Sequence, residues 1–412
     1  MKNVFRSSMA ALAGIALLSA LTACDDDKSA TLPSPAAPPA VVPYPLDSTL
    51  RLNQIQVLGS HNSYHSGPVM AGDDLDGIFA NNLIAGYLRP LLNYRHPTLT
   101  QQLALGVRQF ELDVWADPAG GAYQLATAAA SGAVPAFSFD RSVEHPDLLS
   151  AGLKVMHIAN IDPYSSCISL QSCLQEIKTW SDANPGHVPL MIMVEIKDQN
   201  SLTDTFNAAP GLQTWVASDY DALDAEIRAV FPAEKIITPD DVQGTHASLN
   251  EAVLAGEWPT LAQSRGKVLF TNCACLTDRH RTDYLQADGS LSGRVMFTNS
   301  SGMADGSPAN AFYVVDDPEA DASTINTLVT AGYLVRTQAD AYGQKNEVRR
   351  DAAFASGVQF VSTDFEQTHA LNSDPIYQIA VPAGAPARCN PLTVSVACTA
   401  RDIESPDALA QP

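Results

Sequence analysis

Gln56-Val57-Leu58-Gly59-Ser60-His61-Asn62-Ser63-Tyr64 is an apolar run that stops at a Gly-Ser turn, with a histidine and an asparagine directly behind it. Three later runs end in the same manner. Phe110-Glu111-Leu112-Asp113-Val114-Trp115 sets two carboxylates between apolar neighbours, and Leu153-Lys154-Val155-Met156-His157 ends in a histidine. Met191-Ile192-Met193-Val194-Glu195-Ile196-Lys197-Asp198 ends in an acid and a lysine. Strand-like runs that each carry polar groups at their C-terminal end are the pattern of a barrel active site, where the loops after parallel strands gather on one rim.

The rest of the chain supports that reading. Ile55 to Leu58, Val107 to Val114, Leu153 to Ile158 and Pro189 to Ile196 read as the first four strands. Lys267-Val268-Leu269-Phe270, Val295-Met296-Phe297, Phe312-Tyr313-Val314-Val315, Tyr333-Leu334-Val335-Arg336 and Gln359-Phe360-Val361 read as later ones. Between them, Ser169 to Asn184 is helical, because Leu170, Leu174, Ile177 and Trp180 trace one face. Leu75 to Leu92, Tyr220 to Phe231, Ala320 to Ala331 and Glu347 to Ser356 also read as helices, and Thr100 to Gly106 as a short one stopped by glycine. Ala126 to Ser138, rich in small residues, reads as a surface insertion. Alternating strands and helices predict a parallel α/β architecture. No Gly-rich turn follows the first strand, so the dinucleotide fingerprint is missing. The expectation is a distorted (β/α)8 TIM-type barrel over residues 46–375 with long loop insertions. An irregular, disulfide-tied C-terminal extension over 376–412 completes the chain.

With 412 residues, 46% hydrophobic and 17% charged, the chain has enough apolar sequence for a large folded core. Its net charge of −21 argues against nucleic acid as a partner, because phosphate backbones need clustered Lys and Arg. It also argues against electrostatic adhesion to anionic lipid.

The first 23 residues read as a signal peptide. Lys2 and Arg6 precede an Ala-, Leu- and Ile-rich stretch too short for a comfortable membrane span. The segment ends Leu21-Thr22-Ala23-Cys24, which resembles a bacterial lipobox with Cys24 as the lipidated residue. Residues 24–45, rich in Pro and Ala, read as a tether. The expectation is an exported protein, lipid-anchored to the bacterial cell envelope and acting as a monomer.

Of seven cysteines, Cys24 set aside leaves six, in close pairs: Cys167 with Cys173, Cys273 with Cys275, and Cys389 with Cys398. Six cysteines allow 15 pairings, and proximity favours the local set. A zinc site fits poorly, because the pairs lack the usual ligand spacing.

Glu111 and Asp113 alternate along one strand, so both side chains point to the same face. Two surface acids are the plain alternative, but Phe110, Leu112, Val114 and Trp115 surround them, and burying carboxylates without a counter-charge is costly. With Asn62 and Glu195 they make an oxygen donor set that suits a hard divalent cation such as calcium or magnesium. His61 and His157 remain to move protons or face a growing negative charge. Lys197 lies two residues beyond Glu195 on the same face and fits either a phosphate or the carboxylates. His65, His96, His145, His187, His246, His280 and His369 lie in polar or loop-like stretches and read as surface or structural.

Taken together, Leu58-Gly59-Ser60-His61-Asn62-Ser63-Tyr64, Glu111-Leu112-Asp113-Val114-Trp115, His157 and Glu195-Ile196-Lys197 resemble the calcium-dependent phosphoinositide phospholipase C family, its bacterial branch above all. Leu334-Val335-Arg336-Thr337-Gln338-Ala339-Asp340 and Val361-Ser362-Thr363-Asp364-Phe365 look like that branch's late strands. The resemblance implies that Asn62, Glu111, Asp113 and Glu195 hold calcium and that His61 and His157 stand around the scissile phosphate. It implies attack by the inositol 2-hydroxyl, with Glu111 or Glu195 taking its proton. The products would be diacylglycerol and a cyclic inositol phosphate. Lys197 and Arg336 are candidate substrate contacts, with a structural salt bridge as the competing reading for each.

Two rivals differ in chemistry. A glycerophosphodiester phosphodiesterase typically carries His-Arg-Gly after its first strand, where this chain has His61-Asn62-Ser63. A lipoprotein binding lipid or sugar without turnover would not need the full set of site residues.

Overall fold

A computed structural model describes residues 44–67, 94–128, 137–143, 145–159, 162, 164–198, 214–275, 278–300, 306–340, 345–367, 377–382 and 384–405, all within the unit Pro38–Pro412. Its strands are β1 (Ile55–Ser60), β2 (Val107–Trp115), β3 (Leu125–Ala128), β4 (Phe137–Asp140), β5 (Lys154–Val155), β6 (Leu190–Lys197), β7 (Ile236–Ile237), β8 (Val268–Asn272), β9 (Met296–Thr298), β10 (Phe312–Val314), β11 (Leu334–Gln338), β12 (Phe360–Thr363) and β13 (Ala387–Cys389). Parallel pairing runs β10-β11-β12-β1-β2-β6-β8, and β9 pairs in parallel with β8. A parallel bridge between Asn299 and Phe312 joins the end of β9 to β10. The eight parallel strands β1, β2, β6, β8, β9, β10, β11 and β12 therefore form the ring of a TIM-type barrel, closed at one seam by a single bridge.

The strands form in largely apolar runs, with polar side chains gathered toward their C-terminal ends. Every residue of β1, β2, β6 and β8 is buried, as expected of strands covered by helices outside and packed side chains inside. Helices Leu170–Ala183, Ala217–Val230, Ala322–Ala331 and Glu347–Ala355 lie in the connections. Ser169 begins the first of these: its hydroxyl accepts from the Ser172 amide at 3.1 Å, satisfying one of the free N–H groups of the first turn. At Gly59 the barrel has no room for a side chain, because a Cβ there would stand 1.7 Å from the Gln109 Oε1.

Two expectations are corrected. Leu153 to Ile158 is not a barrel strand: only Lys154–Val155 joins the sheet, antiparallel to the end of β2, opposite Trp115 and Val114, and Ile158 bridges Asp162 instead. The Met156 amide still reaches the Asp113 carbonyl in register with that pairing (3.2 Å), but its carbonyl accepts from the Trp115 indole instead (2.8 Å), and the pairing ends there. The C-terminal extension is not merely irregular, since β13 pairs antiparallel with β1. Glu404 further on meets the buried Arg108 guanidinium at 2.6 Å. Of the histidines read as surface or structural, His65, His96, His187 and His280 are buried. The predicted helix Leu75 to Leu92, residues 1–43 and His369 lie outside the described residues, as does the middle of the 126–138 insertion, whose ends form the β3–β4 hairpin. The structure joins Cys167–Cys173, Cys273–Cys275 and Cys389–Cys398, the local set.

Candidate active site

The ends of β1, β2, β6, β11 and β12 bring the candidate residues to one rim. Parallel register places Asp113 opposite Glu195, and Glu111 opposite Met193, so the three acids come from adjacent strands. The loop after β1 is tied to β2 by two bonds: the Ser63 amide donates to the Glu111 carbonyl (3.0 Å), and the Glu111 amide donates to the Ser63 hydroxyl (2.8 Å). Asn62 sits at φ 46°, a left-handed conformation that asparagine tolerates better than most residues. That turn brings its amide 3.2 Å from both Asp113 carboxylate oxygens and 2.6 Å from the Tyr94 hydroxyl. With the NH2 toward Asp113 and the oxygen accepting from Tyr94, each amide atom meets its complement.

Glu111, Asp113 and Glu195 are buried, and each offers a carboxylate oxygen within 4.8 Å of the others. Two oxygens bound to one calcium at about 2.4 Å cannot stand more than about 5 Å apart, so the spacing fits a single ion. The three carboxylates are a hard, all-oxygen set that fits calcium, and the Asn62 oxygen joins them in the other amide orientation, with its NH2 donating to the Tyr94 hydroxyl at 2.6 Å. Two cations balance these acids. Lys197 Nζ lies 2.9 Å from Asp113 Oδ2 and 2.7 Å from Glu195 Oε1. Arg336 Nη2 lies 2.6 Å from Glu111 Oε2, while Nη1 pairs with Asp316. Burial pushes the Asp113 carboxyl far up, with Lys197 opposing. For Glu195 burial pushes the same way, but Lys197 overcomes it and the net direction is down. Glu111 is raised by burial, against the pull of Arg336 and His61. Both candidate substrate-contact residues, Lys197 and Arg336, are thus engaged with acids.

Each candidate histidine is held on one nitrogen by a buried carboxylate. His61 Nδ1 lies 2.9 Å from Asp364 Oδ1, and His157 Nδ1 lies 2.8 Å from Asp162 Oδ2. The two rings keep 28% and 22% of their side-chain surface exposed, so substrate can reach them, whereas the carboxylates behind are covered. Burial works against charge on His61, but Asp364 and Glu111 win and push it up to about 10. Burial dominates at His157 and lowers it, despite Asp162. Asp162 also accepts from His65 Nε2 at 2.7 Å, and His65 stacks on Tyr94 with ring centroids 4.2 Å apart.

Asp162, Asp364, Tyr94, His65 and Asp316 were not singled out as site residues by sequence reasoning. The only signal was that Asp364 follows a late strand, where rim residues belong.

The family model described as Phosphoinositide phospholipase C, Ca2+-dependent, matches residues 50–391, well over half of the chain. The chain belongs to this family. Its structure resembles the apo form of a calcium-dependent phosphoinositol-specific phospholipase C from a Gram-negative bacterium, Pseudomonas sp., with a TM-score of 0.50 at 17% identity; 84% of this chain and 98% of that one are covered. It also resembles a Ca2+-dependent phosphatidylinositol-specific phospholipase C from Streptomyces antibioticus, with a TM-score of 0.48 at 18% identity, covering 77% and 96% of the two chains. No curated protein matches the sequence. The Pseudomonas likeness agrees with a TIM-type fold, and membership of the family makes the chain a phosphodiesterase of the calcium-dependent phospholipase C class. The family supports this reading over the two rivals.

Proposed function

We propose that this phospholipase cleaves the phosphodiester of phosphatidylinositol through the residues gathered on the barrel rim. The observation that carries the assignment is the pairing of two reachable, carboxylate-held imidazoles with a buried three-acid cluster. The inositol 2-hydroxyl oxygen forms a bond to phosphorus as the bond from phosphorus to the glycerol oxygen breaks. The products are diacylglycerol and a cyclic inositol phosphate. A calcium ion held by Asn62, Glu111, Asp113 and Glu195 would supply positive charge that acidifies the hydroxyl and offsets the charge on the phosphate.

The chain's own groups divide the remaining work. Glu111 accepts the hydroxyl proton: burial raises its proton affinity above that of an ordinary carboxylate. His61, kept charged at neutral pH by Asp364 and Glu111, faces the phosphate oxygens as a cationic N–H donor. His157, whose affinity for a proton is lowered, is the better general acid: the bound phosphate's charge favours its uptake of a proton from water, and it passes that proton to the leaving glycerol oxygen. Asp162 fixes the tautomer and the ring orientation of His157, and Asp364 the ring orientation of His61. Lys197 and Arg336 hold the acids in position.

The test is phosphorus NMR of the products from phosphatidylinositol. A cyclic inositol phosphate supports the reading; free glycerol phosphate would assign the chain to the rival phosphodiesterase chemistry.

The protein is further inferred to be exported and anchored through a lipid on Cys24, acting as a monomer on phospholipid with no nucleic-acid partner. The Leu21-Thr22-Ala23-Cys24 sequence behind a basic and apolar segment, and the net charge of −21, support this. Among the described residues, no helix is long and apolar enough to cross a membrane. Cys24→Ser should move the protein from the membrane fraction to the soluble one; unchanged membrane association would count against the anchor.

A further inference from the structure

Beside the acid cluster lies a second group of ligand atoms that the proposed mechanism does not use. Cys273 and Cys275 follow β8, the strand that pairs with β6. The Cys273 amide donates to the Val194 carbonyl at 2.8 Å, one residue before Glu195. The two sulfurs and a Glu195 carboxylate oxygen lie within 4.8 Å of one another. Cys273 is wholly buried, while Cys275 is exposed.

Stability explains this bridge poorly. Its cysteines are 2 apart in sequence, against 6 and 9 for the other bridges. In the chain-entropy view it therefore restrains the unfolded chain least. Between the cysteines, Ala274 is held at φ 47°, in the left-handed region that residues with a side chain seldom adopt. Such conformations cluster at functional sites. The Ala274 amide donates to the Asn272 Oδ1 at 3.0 Å, which fixes this turn.

We propose that reduction of Cys273–Cys275 creates a site for a thiophilic divalent cation, zinc or cadmium, ligated by both thiolates and Glu195, and that this cation competes with calcium for the shared carboxylate. The inference rests on Glu195 being a calcium ligand. An external thiol attacks the exposed Cys275 sulfur, giving a mixed disulfide and a Cys273 thiolate. A second external thiol releases Cys275 and leaves as the oxidised reductant. Two electrons and two protons have then passed to the protein. Binding of the cation displaces the two protons from the thiols. Two thiolates and a carboxylate are ordinary zinc ligands, and two sulfurs on one tetrahedral zinc stand about 3.8 Å apart. The Cα atoms, 5.0 Å apart, need not move to allow that separation. In the disulfide form the sulfurs are poor ligands and Glu195 is left to calcium. A low-molecular-weight disulfide restores that form by taking the two electrons back.

The test uses cadmium and the intact protein, oxidised or phosphine-reduced, with the reductant removed under anaerobic conditions and no calcium present. The readout is the ultraviolet thiolate-to-cadmium charge-transfer band, which requires no turnover. The reduced wild type should show a saturable band that Cys275→Ser loses and the oxidised protein lacks. Glu195→Gln should weaken cadmium binding about tenfold or more, and calcium should weaken it in the wild type. No saturable band, a band that survives Cys275→Ser, or one unmoved by Glu195→Gln would overturn the proposal. A band that responds to Glu195→Gln but not to calcium supports the thiol–carboxylate site and counts against calcium at Glu195, so the two readings fail separately.

Discussion

Asp364 holds His61 from a position 303 residues away in sequence, with Oδ1 and Nδ1 2.9 Å apart. On its other nitrogen, Nε2, His61 comes within 3.8 Å of Glu111 Oε1. The ring thus lies between two carboxylates, and burial, which opposes its charge, is outweighed by them.

Replacing Asp364 by Asn should therefore bring the His61 pKa from about 10 back toward its ordinary 6.5, as read by NMR titration of the ring. Because the folded-state value is raised, the stabilisation from His61 is complete below about 6.5 and is lost as pH rises through about 10. The wild type should lose this stability over that window, and Asp364→Asn should lack this component. Turnover should fall about tenfold to a hundredfold, with KM changing less.

Asp162 ties two imidazoles together, His65 and His157, at 2.7 and 2.8 Å. Asp162→Asn can no longer hold both rings as donors. We expect kcat to drop about a hundredfold, and the alkaline limb of the pH–rate profile to move to lower pH, since a neighbouring charge favouring protonated His157 is gone. A profile and rate like those of the wild type would show that Asp162 does not position His157.

Lys197 bridges Asp113 and Glu195 where calcium is proposed to bind. Lys197→Met leaves two buried acids without that counter-charge, which should cost about 3–5 kcal/mol in the absence of metal. Calcium replaces the missing charge, so thermal unfolding with and without calcium should show a larger stabilisation by calcium in the variant than in the wild type. Equal shifts would mean that Lys197 does not share the ion's ligands.

Gly59→Ala tests the packing behind the site. A Cβ there would fall on Gln109 Oε1, so Gln109 must leave the space it fills. Denaturant unfolding should show a loss of about 1–3 kcal/mol.

The barrel was readable because its strands are largely apolar runs and the helices between them carry a stripe; β2 and β6 lie within a residue of where their apolar runs place them. The same rule misread Leu153 to Ile158, where apolar residues cover a loop packed under Trp115 instead of continuing a strand. The candidate residues whose side chains lie on strands were legible, since alternation puts Glu111 with Asp113 and Glu195 with Lys197 on one face. Asp364 and Asp162 were not, because an acid in a loop looks like any solvated acid until the fold brings a distant histidine to it. The link from His65 to the site was hidden for the same reason: its partner Asp162 is 97 residues away.

The most direct measurement of the central claim is phosphorus NMR of phosphatidylinositol turnover, with calcium and with a chelator, for the wild type, Asn62→Ala and His61→Ala. The account predicts a cyclic inositol phosphate from the wild type with calcium and no turnover in chelator. It predicts a raised calcium requirement in Asn62→Ala and a rate lower by about two orders of magnitude or more in His61→Ala. Full activity in chelator, or wild-type rates in both variants, would contradict it.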